Sequence, residues 1–167
     1  MTDHLTARYG LIHGAYWASY AAIAAYVNLY LLEMGFSSGA IGVLIALAGL
    51  LSALLQPLAA SYADRETSPN LKAINLAIAA LWMLSALGLL VFHKNKVASL
   101  LFYGGCLSLL QLQTPLVNGL GVTSINCGCK LNYGVSKSVS SVTYALVCLV
   151  LGRMTAAQGG RPVPWAI

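Results

Sequence analysis

The amino-acid sequence predicts an all-α membrane protein. Apolar residues make up 59% of the 167-residue chain and charged residues only 8%, with a mean hydropathy of +0.77, whereas a soluble domain carries about 25% charged residues. Charge this sparse cannot cover a soluble surface, so lipid is the expected surrounding. The long uncharged runs do not alternate between polar and apolar residues, which favours helices over a membrane barrel.

Five uncharged runs are long enough to cross a bilayer, which takes about 20 apolar residues in a helix. They predict spans at 11–32, 39–61, 72–92, 97–119 and 136–156. Further along, Pro164 and Trp165 are typical of a helix that starts at the membrane interface. We therefore expect one incomplete six-helix bundle over residues 1–167, with five transmembrane helices and the start of a sixth. The protein would be a multi-pass protein of the cell membrane.

The few charges are distributed in a way that excludes some functions. The net charge is +5, but the basic residues are scattered singly between apolar runs, which excludes a nucleic-acid surface. With the amino terminus inside, four basic residues fall on each side, so the positive-inside rule gives no orientation. The pair Cys127-Gly-Cys129 is too sparse for a zinc site, and no His lies nearby, so we expect no metal and no cofactor.

One short loop concentrates the charge, and it carries a recognisable pattern. The segment Gln56-Pro57-Leu58 is followed by Asp64-Arg65 at the end of the second predicted span. This pattern resembles the loop between helices two and three of the major facilitator superfamily, in the branch of sugar:proton symporters of the lactose permease type. Ala60 and Thr67 stand where that family usually has glycine. The resemblance implies the amino-terminal half of a two-bundle transporter, with its carboxy-terminal half missing from this chain.

The resemblance also implies a gating role for Asp64 and Arg65. A carboxylate at a helix end favours the positive end of a neighbouring helix dipole, and an adjacent Arg can pair with a carboxylate or a lipid phosphate. Such a contact can hold two helix bundles in one arrangement and release them in another. The alternative is a solvated turn that only fixes the topology.

The fifth span contains the main candidates for a binding site. The stretch NYGVSKSVSSVTYALVCLVLG resembles the fifth helix of the lactose permease group. Lys137 takes the place of that group's sugar-binding Arg, and Tyr144 takes the place of its Trp. The two are seven residues apart and therefore share a helix face. Lys lacks the bidentate geometry of Arg, so we expect a different sugar, a nucleoside or another small polar solute as readily as a disaccharide of the lactose kind. Alternatively, Lys137 snorkels to the interface.

Other candidates come from the first and fourth spans. Asn118 stands about where the permease group carries an acidic partner for the basic residue of helix five, so the substrate itself could supply the anion. Tyr20 and Tyr26 are hard to place against lipid and are candidates to line a cavity. His13 could relay protons, but near a span end we expect an interfacial residue. Pro115 frees a backbone carbonyl, which we expect to line a cavity or meet a neighbouring helix.

These features predict a transporter half that binds a small solute and protons within the bilayer. A complete five-span accessory or assembly protein without transport activity is the alternative. An enzyme is not expected, because no Ser–His or His–Glu constellation lies at a workable spacing inside the spans.

Overall fold

A computed structural model describes residues 2–65 and 67–167 of the chain, without the side chains of residues 2 and 3. Within these residues the protein is built of helices and contains no strand. The helices are α1 (Thr2–Ala24), α2 (Val27–Glu33), α3 (Ser38–Ala63), α4 (Leu71–Val91), α5 (Lys96–Asn126), α6 (Tyr133–Gln158) and α7 (Val163–Ala166).

Polar side chains fix the starts of the four longest apolar helices. Ser37, Asn70, Asn95 and Asn132 precede α3, α4, α5 and α6, and each side-chain oxygen accepts a hydrogen bond from the backbone N–H three residues on, at 2.9–3.2 Å. A cap of this kind satisfies one of the unpaired donors of the first turn and contributes about 1 kcal/mol. These residues therefore set where each helix begins.

Among the described residues, four helices are long and apolar enough to cross a membrane: α3, α4, α5 and α6. They correspond to the second to fifth predicted spans. Their bounds differ from the prediction by a few residues, except that α5 continues to Asn126, beyond the predicted end at 119. The expectation of an all-α membrane protein is confirmed by these helices.

The first predicted span is not a single helix, and the count of five spans is not confirmed. The residues predicted at 11–32 are divided between α1 and α2, and Tyr26 between them has φ −113° and ψ 8°. The Tyr26 hydroxyl donates to the Cys148 carbonyl of α6 at 2.5 Å, so the helix breaks where its side chain bonds to a neighbouring helix. At the predicted start of the sixth span lies α7, which is only four residues long and does not confirm a sixth span.

Helix α5 lies at the centre of the bundle and packs against α1, α3 and α4. Half of its apolar segment is buried, compared with 17–22% for the other three membrane-spanning helices. Pro115 in α5 has no N–H to donate to the Gln111 carbonyl, and the Gln56 amide of α3 donates to that carbonyl instead, at 3.1 Å. The freed carbonyl thus meets a neighbouring helix.

Three tyrosine hydroxyls join α1 to α5 at intervals of seven residues. Each donates to a backbone carbonyl of the other helix. The pairs are Tyr9 with Val117 at 3.1 Å, Tyr16 with Leu110 at 2.7 Å, and Tyr103 with Ile23 at 2.7 Å. The residue numbers rise on one helix as they fall on the other, so the helices are antiparallel. We call these three bonds the tyrosine ladder.

Helix α1 also packs closely along α6, and two glycines permit this approach. A Cβ atom at Gly14 would lie 3.2 Å from Thr143 Oγ1 and 3.3 Å from Val139 Cγ1, and one at Gly10 would lie 3.6 Å from Val139 Cγ2. Glycines four residues apart let helix backbones approach in lipid. This contact places the polar residues of α1 directly against those of α6.

Candidate functional site

A cleft of about 340 Å³ lies between α1 and α6. It is lined by Trp17 of α1 and by Lys137, Ser140, Ser141 and Tyr144 of α6. The four α6 residues lie on one face because they recur at intervals of three and four residues. Sites for small molecules begin at about 300 Å³ and combine apolar walls with a few polar groups, so the cleft has the size and the lining for a small solute.

Lys137 is the only cation among the residues lining the cleft. Its ammonium lies 5.7 Å from the centroid of the Tyr133 ring, at cation–π distance. Within the described residues it takes part in no other hydrogen bond or ion pair. No Asp or Glu occurs anywhere in the five predicted spans. Lys137 therefore brings an unbalanced positive charge to the cleft.

Aromatic rings form one wall of the cleft. The rings of Trp17 and Tyr144 meet edge to face, with centroids 6.1 Å apart and planes at 68°. Tyr20 flanks Trp17 at 5.2 Å. Edge-to-face pairs hold both rings in a preferred geometry, so the wall presents a fixed apolar corner beside the polar residues of α6.

A buried histidine lies directly behind the cleft. His13 has no exposed surface, which corrects the expectation of an interfacial residue. Its Nε2 lies 2.9 Å from Asn118 Oδ1 of α5, and its Nδ1 contacts the hydroxyl of Ser140. Asn118 Oδ1 also accepts a hydrogen bond from the Tyr133 hydroxyl at 3.3 Å. His13 thus ties α1, α5 and α6 together, through a serine that also lines the cleft.

These partners suit both the neutral and the protonated imidazole. The Asn118 oxygen can only accept, so Nε2 carries a proton in both forms. In the neutral ring Nδ1 accepts from the Ser140 hydroxyl. In the protonated ring Nδ1 donates to Ser140 Oγ, and the Ser140 hydroxyl can turn to the Ser136 carbonyl, 3.4 Å away. Only a rotation of one hydroxyl separates the two arrangements.

The residues predicted to bind solute lie at different places in the bundle. Lys137 and Tyr144 line the cleft, and Tyr20 flanks it. Asn118 lies behind the cleft and bonds to His13, and no described contact joins it to Lys137. Tyr26 lies at the break between α1 and α2. Its hydroxyl bonds to the Cys148 carbonyl, which is farther along α6 than the residues that line the cleft.

The sequence reasoning did not include Trp17, Ser140 and Ser141 in the site. Two signals in the sequence point to Trp17. Trp17 lies four residues after His13, on the same face of α1. Gly10 and Gly14 form a G-x-x-x-G pattern, which favours a close helix–helix contact. Read together, they indicate that the face bearing His13 and Trp17 packs against another helix.

The charged pair proposed as a gate lies at the carboxyl end of α3. Asp64 is the C-cap residue directly after α3, and both Asp64 and Arg65 are exposed. The start of α4 is capped by Asn70, not by Asp64. In the described part of the chain neither charged side chain has a hydrogen bond or an ion pair, so both are free to contact another element.

Comparison with known proteins places the chain in a family. No curated protein and no solved structure matches it significantly. The sequence model of the MFS_1 like family, which lies within the major facilitator superfamily, matches residues 9–167. The match includes all the residues that line the cleft and the whole of helices α2 to α7. The chain therefore belongs to the MFS_1 like family of the major facilitator superfamily, a family of membrane transporters.

Proposed function

We propose that this chain is the amino-terminal bundle of a proton-coupled symporter, similar to the lactose permease branch, in the cell membrane. The solute is a small polar molecule such as a sugar or a nucleoside, and the second bundle comes from a carboxy-terminal half. The observation that carries the proposal is the cleft between α1 and α6, where a cation, two hydroxyls and two aromatic rings adjoin a buried histidine.

Lys137 and Tyr144 bind the solute in this proposal, and Trp17 extends the aromatic wall. A ring-shaped solute can pack its apolar face on the Trp17–Tyr144 corner, while Lys137 and Ser141 donate hydrogen bonds to its oxygens. Tyr20 positions the Trp17 ring by ring contact, and Asn118 positions His13 by a hydrogen bond. Tyr26 binds α6 at the far end of the same helix pair and anchors the break in the first span.

His13 carries the coupled proton. Both protonation states of its imidazole have hydrogen-bond partners, as described above, and Ser140 contacts both the imidazole and the cleft. A change in the protonation of His13 therefore reorients the hydroxyl of a residue that lines the cleft. This connects proton binding to solute binding without a carboxylate in the spans.

Asp64 and Arg65 act as the latch between the two bundles. Both side chains are exposed and unpaired within the described residues, and α4 already has its cap. The Asp64 carboxylate is thus available to a helix end of the other bundle. Asp64→Asn in the full-length protein should lower the rate of solute exchange and leave the dissociation constant of the solute unchanged, because the latch lies outside the cleft.

The proposed function is tested with the full-length protein in proteoliposomes. A panel of sugars, nucleosides and small organic acids is added, and solute-evoked proton uptake is followed with an internal pH dye. At least one solute should evoke proton entry. His13→Gln should abolish it while solute exchange persists, because Gln can replace the Nε2 donor but cannot take up a proton. His93→Gln is the matched control, since His93 is exposed and, within the described residues, bonds only to the Leu90 carbonyl.

The accessory protein makes the opposite prediction. If no solute in the panel moves, and alanine at Lys137, Asn118 or Tyr144 changes only the thermal stability, the transport proposal is wrong and the helices serve assembly alone. If solute moves but His13→Gln keeps full proton entry, transport stands and the proton site lies elsewhere.

A further inference from the structure

We infer that the solute of this cleft is an anion with a ring, namely a carboxylate attached to an aromatic or pyranose ring. This inference rests on the proposed function and narrows its solute class. It depends on three features of the cleft: a cation without a counter-ion, a second free donor beside it, and a pair of aromatic rings at the other end.

The unbalanced charge of Lys137 is the first feature. A half-buried ammonium in a membrane protein is costly unless an anion pairs with it. The predicted spans contain no carboxylate. Of the two acids whose side chains are described, Glu33 accepts a hydrogen bond from the Gly160 N–H at 2.6 Å, at the other end of α6, and Asp64 is exposed beyond α3. A bound anion supplies the missing charge.

The second feature is a free hydroxyl beside Lys137. Ser141 lies four residues after Lys137, one turn along the same face of α6, and its hydroxyl makes no hydrogen bond within the described residues. A carboxylate has two oxygens, so it can accept from the ammonium and from this hydroxyl together. The neighbouring Ser140 is already engaged with His13.

The third feature, the pair of aromatic rings, favours a solute that contains a ring. Tyr144 lies seven residues after Lys137, which is about 10 Å along a helix, and Trp17 meets it edge to face. A flat or pyranose ring fits this corner while its carboxylate remains at Lys137. A cationic solute is excluded because Lys137 would repel it, and a neutral sugar would leave the ammonium without a counter-ion.

The experiment compares acids with neutral compounds of matched shape. The purified full-length protein in detergent is titrated with benzoate and benzamide, and with glucuronate and glucose, and dissociation constants are derived from ligand-induced thermal stabilisation. The variants are Lys137→Gln, Lys137→Arg, and Lys130→Gln as the control. Lys130 is exposed in the loop between α5 and α6, so its substitution removes the same charge outside the cleft.

Wild type should bind at least one acid more tightly than its neutral partner. Lys137→Gln should weaken the binding of that acid by about tenfold or more, as expected for the loss of a charge-assisted hydrogen bond. Lys137→Arg should retain more of the affinity than Lys137→Gln, and Lys130→Gln should bind like wild type.

Two results would overturn the inference. One is tighter binding of the neutral member of both pairs. The other is a Lys137→Gln variant that loses equal affinity for the acid and for its neutral partner. That result would mean that Lys137 acts through packing or pairs with a carboxylate of the other bundle. The proposed function fails separately: an acid that binds as expected but shows no flux in proteoliposomes leaves the anion site intact and removes the transport proposal.

Discussion

The tyrosine ladder between α1 and α5 gives a quantitative test of the bundle. Replacement of Tyr9, Tyr16 and Tyr103 by Phe removes three hydroxyls and retains the three rings. Each hydroxyl donates to a carbonyl of the facing helix at 2.7–3.1 Å. The carbonyls keep their acceptor role within their own helices, so the loss is confined to the interhelical bonds.

The expected magnitude follows from the number and spacing of these bonds. A hydrogen bond contributes about 0.5–1.5 kcal/mol net, and interhelical bonds in membrane proteins average about 0.6 kcal/mol. Successive bonds of the ladder lie about 10 Å apart along the helix, so their effects should add. The triple variant should lose about 2 kcal/mol of unfolding free energy.

The assay is unfolding of the protein by SDS titration from a mild detergent, followed by circular dichroism. Tyr62→Phe is the control, because the Tyr62 side chain is 46% exposed and has no described hydrogen bond. The reasoning fails if the triple variant unfolds at the wild-type midpoint, or if Tyr62→Phe alone costs as much as the three changes together.

Three further changes test other contacts by thermal stability in detergent. Gly121→Ala should destabilise the protein, because its Cβ would lie 2.6 Å from a tyrosine ring atom. Gly119→Ala should not, because its Cβ would lie 3.4 Å from a flexible leucine side chain. Equal stability of the two variants would refute this. Gln56→Met should cost about 1 kcal/mol, since the Gln111 carbonyl loses its donor, and a neutral result would show that lipid or water replaces it. Gly160→Ala should destabilise because its Cβ would lie 3.1 Å from a backbone carbon of α2, and a wild-type melting temperature would contradict that.

The sequence predicted the four membrane-spanning helices well because their signal is local. The lengths of the uncharged runs and the polar residues at their ends are enough to place α3 to α6. The break in the first span could not be predicted in this way. It occurs at Tyr26, with no Pro or Gly nearby, and its side chain bonds to the Cys148 carbonyl, 122 residues away in the chain.

The same distinction applies to the candidate site. The pairing of Lys137 with Tyr144 follows from spacing on one helix, and both residues line the cleft. Trp17 enters the cleft from a second helix, and His13 of α1 is buried against both α5 and α6. The spacing of polar and apolar residues along one helix does not determine which helices pack together. The burial of His13 could therefore not be predicted from its position near a span end.

The unbalanced charge of Lys137 has a consequence for the response of the carrier to membrane voltage. Alternating access moves a site from the potential of one side to that of the other, and one elementary charge that crosses 100 mV changes energy by about 2.3 kcal/mol. In the proposed cycle the loaded site holds Lys137, the monoanion and the His13 proton, so its net charge is +1. The empty site retains Lys137 alone, and its net charge is also +1. The two reorientations would then move equal charges in opposite directions, so the complete cycle would move no net charge and the proton gradient, not the membrane potential, would drive uptake.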